Sequence, residues 1–402
     1  QRNYKTADRY ISREPMSVAT RTNNTPGYLL LCGAILTIIA VSGFGHSINV
    51  NEVMAISFAF VASIYAFLPY NNIPPLGKLT CLFVLLSCCV IALNVMLSEF
   101  KVYKIVNFTS LFGLLIGTGI ISELKWENMN MYRIGLMISS FALIVIYLFL
   151  PGHLLYGWNS NSAIFLIPIL LLGMSLIYCS GEVTSRKKYI GFYSCALVGF
   201  ALISSLDNRS SLLALCLFSV IPLFPWVLSN QKCFRWIYAV IIAMGVITPF
   251  FQDYIANNEL FQDIISLTKG DKMGGFNGRE ILWHKAVGII EENPMMGKEG
   301  WRVIYFHNFS LDVLIQYGWL GWVTFSTIVI VILERCFVPG SKYNILLYAF
   351  IVLLLLNTYE NAFLANNYFT IFPYFLTGIA WRYAKQKQQR KIVWTTHRNS
   401  YL

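Results

Sequence analysis

Residues 278–321 read GREILWHKAVGIIEENPMMGKEGWRVIYFHNFSLDVLIQYGWLG. Arg279, Lys285, Lys298, Arg302 and His307 crowd together there with acids and glycines, in a chain that is only 12% charged. Another isolated base, Arg209, sits in NRSSLLAL at 208–215. Guanidinium groups hold phosphate oxygens through paired hydrogen bonds, and imidazole gains or loses a proton near neutral pH. Indoles such as Trp283 and Trp301 can stack on sugar rings, although an interfacial belt or core packing is their commoner use. Every one of these residues also has a plainer use. Arg209 would serve as a snorkelling anchor at a span edge, Arg279 as surface charge, His307 as an interfacial residue, and Lys298 and Arg302 as solvated charges. Arg279 is unfavourably placed for the dipole of the helix it opens, a small hint of another purpose. His284 and His153 receive no role.

The elements around them are apolar. Of 402 residues, 56% are hydrophobic, whereas a soluble domain carries roughly 25% charged residues. The apolar residues run unbroken over bilayer-spanning lengths, so the sequence predicts an all-α polytopic membrane protein. Twelve candidate spans free of Asp, Glu, Lys and Arg lie near 28–47, 53–70, 79–98, 105–122, 134–150, 163–180, 189–206, 211–230, 236–252, 313–333, 343–359 and 361–380. The expected organisation is a cytoplasmic N-terminal segment (1–26), nine spans (27–252), a long periplasmic loop with short helices (253–306), three more spans (307–381) and a basic cytoplasmic tail (382–402). Basic flanks set this orientation, because they stay cytoplasmic. With both termini inside, the cytoplasmic side holds 21 of the 30 Lys and Arg residues, and the loop's eight acids outweigh its six bases.

The net charge of +11 is accounted for by these flanks and their contact with anionic lipid, so no nucleic-acid partner is expected. The nine cysteines fall in spans or at cytoplasmic ends, without C-x-x-C or zinc spacing, and read as small buried hydrophobes. No metal site is expected. The first apolar run is full length and reads as a span rather than a cleavable signal, with Met16 a candidate native start. Gly113 and Gly117 have the spacing for close helix packing.

Inside the loop, Asn277 and Glu280 have the N-cap and N3 spacing of a capping box. They predict a helix from near Gly278 to about Glu292, stopped by Pro294. Arg279 and Trp283, four apart, share a face of it. TKGDKMGGFNG before it reads as a turn-rich connection.

The motifs GR..LW, NP..G..G and HN..LD.L...G..G, preceded by NRSSLLAL, resemble the O-antigen ligase and polysaccharide polymerase superfamily of bacterial envelopes. The match spans roughly residues 200–325; twelve spans with one large loop before the last three also fit that family. The resemblance implies inverting glycosyl transfer at the periplasmic face of the inner membrane, from a glycan on undecaprenyl diphosphate, without nucleotide sugar, metal or cofactor. A polymerase extends a second lipid-linked repeat; the alternative, a ligase, delivers the glycan to lipid A-core. Either would have membrane lipids as further partners, with a chain-length regulator as a candidate one.

Carried over by motif, Arg209 and Arg279 would bind the diphosphate, and His307 would be the base. Asn308, Arg302, Lys298 and Trp283 complete the candidate substrate-binding set. Asn208 stands where the family usually has a small residue. The chemistry is coherent: charge develops on the diphosphate as the anomeric bond breaks, and charged hydrogen bonds contribute roughly 1.5–3 kcal/mol each. General-base help from a histidine adds roughly 10²–10⁴-fold. A transporter or flippase is a remote alternative, because coupled carriers usually place ionisable groups inside their spans.

Overall fold

A computed structural model describes parts of 114–129 and residues 130–154, 162–206, 208–252, 279–298, 306–358 and 371–399, with Tyr254 and Asn258. The expected spans at 28–47, 53–70 and 79–98, most of 105–122, the glycine pair Gly113 and Gly117, and Trp301 and Arg302 lie outside the described residues. The described residues are helical, with no strand among them.

The helices are α1 (Met131–Leu148), α2 (Ser162–Cys179), α3 (Ser185–Ser205), α4 (Arg209–Val220), the short α5 (Pro225–Ser229), α6 (Gln231–Phe250), α7 (Arg279–Glu292), α8 (Phe309–Cys336), α9 (Asn344–Leu356) and α10 (Ile371–Asn399). Four of them, α1, α3, α6 and α8, are long and apolar enough to cross a membrane. The described part is therefore a helical membrane protein; the count of twelve extends over residues beyond it.

Helix ends differ from the apolar runs for physical reasons. Alpha-helical backbone continues through Lys187, Lys188 and Lys232, since a charged residue at a helix terminus interrupts hydropathy but not hydrogen bonding. The run at 211–230 is not one helix. Pro222 and Pro225 each lack a backbone N–H, and α4 gives way to a 3₁₀ turn and then α5. Conversely α8 reaches past the expected 313–333 on both sides, taking in Asp312, buried at 2% exposure, and Glu334.

One large core joins α1–α4, α6, α8, α9 and α10. Its tightest seam is between α1 and α2, where a Cβ on Gly135 would lie 2.6 Å from the Gly173 carbonyl oxygen. Small residues let these backbones close in, as membrane helices require when both their faces and the lipid are apolar.

The bundle has two distinct ends. At one, Glu334 accepts hydrogen bonds from Arg235 (2.9 and 2.7 Å), Tyr238 (2.8 Å) and Gln231 (3.3 Å), joining α8 to α6. There the Asn344 amide donates to the Leu228 and Val338 carbonyls (2.7 and 2.8 Å), and Tyr132 donates to the Lys187 carbonyl. Lys187, Lys188, Lys232, Arg235, Arg335 and Lys342 all lie at this end, which we call the basic end. At the other, the starts of α8 and the finishes of α6 and α9 meet.

Candidate functional site

The second end is organised by Asn308. As the N-cap of α8, its Oδ1 accepts from the Leu311 N–H at 3.0 Å. Its Nδ2 donates to the carbonyls of Gly245 on α6 (2.9 Å) and Thr358 after α9 (3.0 Å). The Phe309 N–H adds a bond to the Asn357 carbonyl at 3.0 Å. One fully buried amide thus ties three helix ends together. Its donors and its acceptor all serve the protein, so Asn308 acts here as a positioning residue rather than as a group presented to substrate.

His307 precedes this knot in a left-handed backbone conformation, φ +51°, and is half-buried. Such a conformation costs a side-chain-bearing residue of order 1–3 kcal/mol and persists only when its surroundings impose it. Both neighbours do so. Asn308 is held as described, and Phe306, 1% exposed, accepts a 2.8 Å hydrogen bond at its carbonyl from the indole of Trp283. Histidine is the part-exposed residue between two buried anchors.

Trp283 belongs to α7, whose bounds agree with the capping-box expectation and whose end falls just short of Pro294. Its ring is fully buried with Ala286, Ile289, Ile290, Leu311, Leu314 and other residues in a small satellite core between α7, α6 and α8. No face of that ring is open to a sugar, and core packing with a hydrogen bond is the role this geometry gives it. Arg279 stands one helical turn earlier on the same face, about 6 Å along the axis, and is half-buried.

A turn then fastens α7 to α8 through backbone alone. Gly318 interrupts α8 with φ 63° and ψ −167°, a region essentially reserved for glycine. The N–H groups freed around it are taken up by the turn after Pro294: Trp319 donates to the Pro294 carbonyl (2.8 Å) and Leu320 to that of Met295 (3.3 Å). In return the Lys298 N–H donates to the Ile315 carbonyl at 2.8 Å. The chains approach so closely that a Cβ on Gly318 would sit 2.5 Å from the Met296 nitrogen, and one on Gly297 2.5 Å from the Gln316 carbonyl carbon. Two glycines of the NP..G and G..G motifs are therefore the contact surface between loop and helix. Lys298 itself pairs with Glu292.

Arg209 opens α4 and is exposed; Asn208, its N-cap, accepts from the Ser211 N–H at 3.1 Å and is 7% exposed. Asparagine serves here as the cap of α4. Helix direction locates Arg209. Helix α3 starts near the Tyr132–Lys187 contact and α4 leads to α5, whose Leu228 carbonyl is bonded at the basic end. The α3–α4 junction, with Arg209, consequently lies at the same end as Asn308. Around it, α4 packs on α2, α3 and α9, whereas α7 packs on α6 and α8.

Sequence motifs identify His307 and Arg279 but not their supports: Gly245, Thr358 and the Phe306 carbonyl act through backbone atoms, which carry no residue signature. Asp312 is a buried first-turn acid of α8 in the HN..LD motif, well placed for the helix dipole. Among the described residues, no three His, Cys, Asp or Glu side chains are grouped to hold a metal ion.

The described residues form a helical membrane protein in which His307, Asn308 and Arg209 lie at the end of the bundle opposite its basic flanks. No protein-family model matches the chain, and no curated protein matches it.

Proposed function

We propose that the chain is an inverting glycosyltransferase that polymerises undecaprenyl-diphosphate-linked repeat units at the outer face of the bacterial inner membrane. The observation that carries this reading is the display of His307, held in a strained backbone between two buried anchors, at the end of the bundle that also bears Arg209. Strained backbone around a titratable side chain recurs at functional sites.

In the proposed step, an acceptor sugar hydroxyl attacks the anomeric carbon of the lipid-linked chain. The new glycosidic bond forms as the bond to the diphosphate oxygen breaks, with inversion at carbon. His307 takes the hydroxyl proton, and the electron pair leaves on undecaprenyl diphosphate, whose charge Arg209 and Arg279 receive. Guanidinium pairs suit that charge geometrically. Binding both sugars at the water–lipid boundary strengthens each of these interactions.

The test is a gel of envelope glycans from a deletion strain complemented with wild type or His307→Ala at matched expression. Single repeats on their final carrier in the variant support polymerisation with His307 as base. Full-length chains accumulating on the lipid carrier identify a ligase instead. Normal chains in the variant would overturn the assignment of His307.

A further inference from the structure

At the basic end lies a cavity of about 540 Å³ between the start of α1, the α2–α3 and α8–α9 connections and the later part of α10. Its floor is buried and apolar: Trp126 (1% exposed), Met129 and Met131 (each 4%). One wall is the stacked pair Tyr343 and Tyr383, with ring centroids 3.4 Å apart and planes within 9°. At the rim, among the described residues, stand two exposed opposite charges, Glu182 and Lys387. The Lys387 ammonium donates to the Pro339 carbonyl at 3.3 Å, using one of its three N–H groups.

The surroundings fix the depth of this cavity. Met131 is the first residue of a helix long and apolar enough to cross the membrane. Lys342 lies 5.2 Å from the Tyr343 ring and Lys385 5.4 Å from that of Trp381. Aromatic rings beside lysines mark the headgroup level of a bilayer. Burial also lowers the pKa of Lys342 from its ordinary value, and the Glu182 carboxylate acts against that shift.

From this combination we infer that the cavity binds the headgroup of an amine-bearing phospholipid, such as phosphatidylethanolamine. Its phosphate would meet Lys387, its ammonium would meet Glu182, and its glycerol and upper acyl carbons would lie over Trp126, Met129 and Met131. The matched pair of rim charges distinguishes this ligand from a purely anionic lipid, which gains nothing from Glu182. The inference is independent of the proposed transferase activity, because the cavity is at the opposite end of the bundle from His307.

Full-length protein in mild detergent, examined by native mass spectrometry with added lipid, tests it. Phosphatidylethanolamine should bind about tenfold more tightly than phosphatidylglycerol, the scale of one charge-assisted hydrogen bond. Glu182→Gln should remove that preference, and Lys387→Gln should weaken both lipids; both side chains are exposed, so the fold should persist. Arg186→Gln, an exposed base outside the cavity, should change neither. Equal binding of the two lipids, or a preference that survives Glu182→Gln, would overturn the inference. Competition by free phosphoethanolamine at the same concentration as the lipid would overturn the membrane source of the headgroup.

Discussion

Replacing Asn308 by aspartate separates two functions that one side chain performs. Aspartate caps helices as well as asparagine does, so the bond from the Leu311 N–H would survive. What it cannot do is donate. The Gly245 and Thr358 carbonyls, now 2.9 and 3.0 Å from an amide nitrogen, would face a carboxylate oxygen in a buried site. Each buried acceptor left without its donor costs about 1–3 kcal/mol, and the uncompensated charge adds to that. Asn308→Ala loses the cap, about 1 kcal/mol, together with the same two donors, but introduces no charge. The expected order of stability is wild type, then Asn308→Ala, then Asn308→Asp, with about 3–7 kcal/mol between the first two. Equilibrium unfolding of the purified protein in mixed micelles measures it. An aspartate variant within about 0.5 kcal/mol of wild type would show that helix capping is the whole contribution and that the three-helix tie is not formed.

Gly318→Ala should be severely destabilising, by about 3 kcal/mol or more, because its φ and ψ suit glycine alone and the added Cβ meets the Met296 nitrogen at 2.5 Å; a large fall in melting temperature and yield checks it, and a near-normal melt refutes the docked turn. His307→Gly should be at least as stable as His307→Ala and by up to ~1 kcal/mol more, since glycine relieves φ +51°, while glycan polymerisation is lost in both. Melting curves of the two variants side by side decide this, and a less stable glycine variant would mean the left-handed backbone is not retained. Trp283→Phe keeps most of the ring volume but removes the donor to the Phe306 carbonyl, for about 1–3 kcal/mol. Its chain-length profile on the envelope-glycan gel should fall further than its stability implies, because His307 loses one of its anchors; activity that merely tracks stability would assign Trp283 to packing only.

How much of this was legible in the sequence depends on which atoms carry the information. Helix α7 was, because Asn277, Glu280 and Pro294 are side-chain signals for a start and a stop. Four of the apolar spans were, at 134–150, 189–206, 236–252 and 313–333, because hydropathy and length reflect the bilayer itself. The break after α4 was visible in Pro222 and Pro225 yet outweighed by the apolar run at 211–230, since hydropathy does not register a missing N–H. The kink at Gly318 was not legible. A glycine in an apolar helix is ordinary, and only the turn from Pro294 to Lys298, some way back in the chain, supplies the partners that make a break there affordable. Likewise Asn308 reads equally well as a substrate ligand or as a cap until the Gly245 and Thr358 carbonyls are seen on its amide. Trp283 reads as belt or core packing, or as a sugar platform, and its burial decides for the core.

The docked turn also bears on how the chain is made. A helix interrupted at Gly318 leaves the Trp319 and Leu320 N–H groups and the Ile315 carbonyl without helical partners, which hydrocarbon does not tolerate. Residues Pro294–Lys298, which satisfy all of these groups, precede the helix in sequence and leave the ribosome first. Synthesis from the N-terminus therefore delivers the splint before the fracture it sets, and α8 can enter the membrane already broken. A permuted chain carrying the turn after α8 would have to hold those groups unsatisfied until the turn arrived.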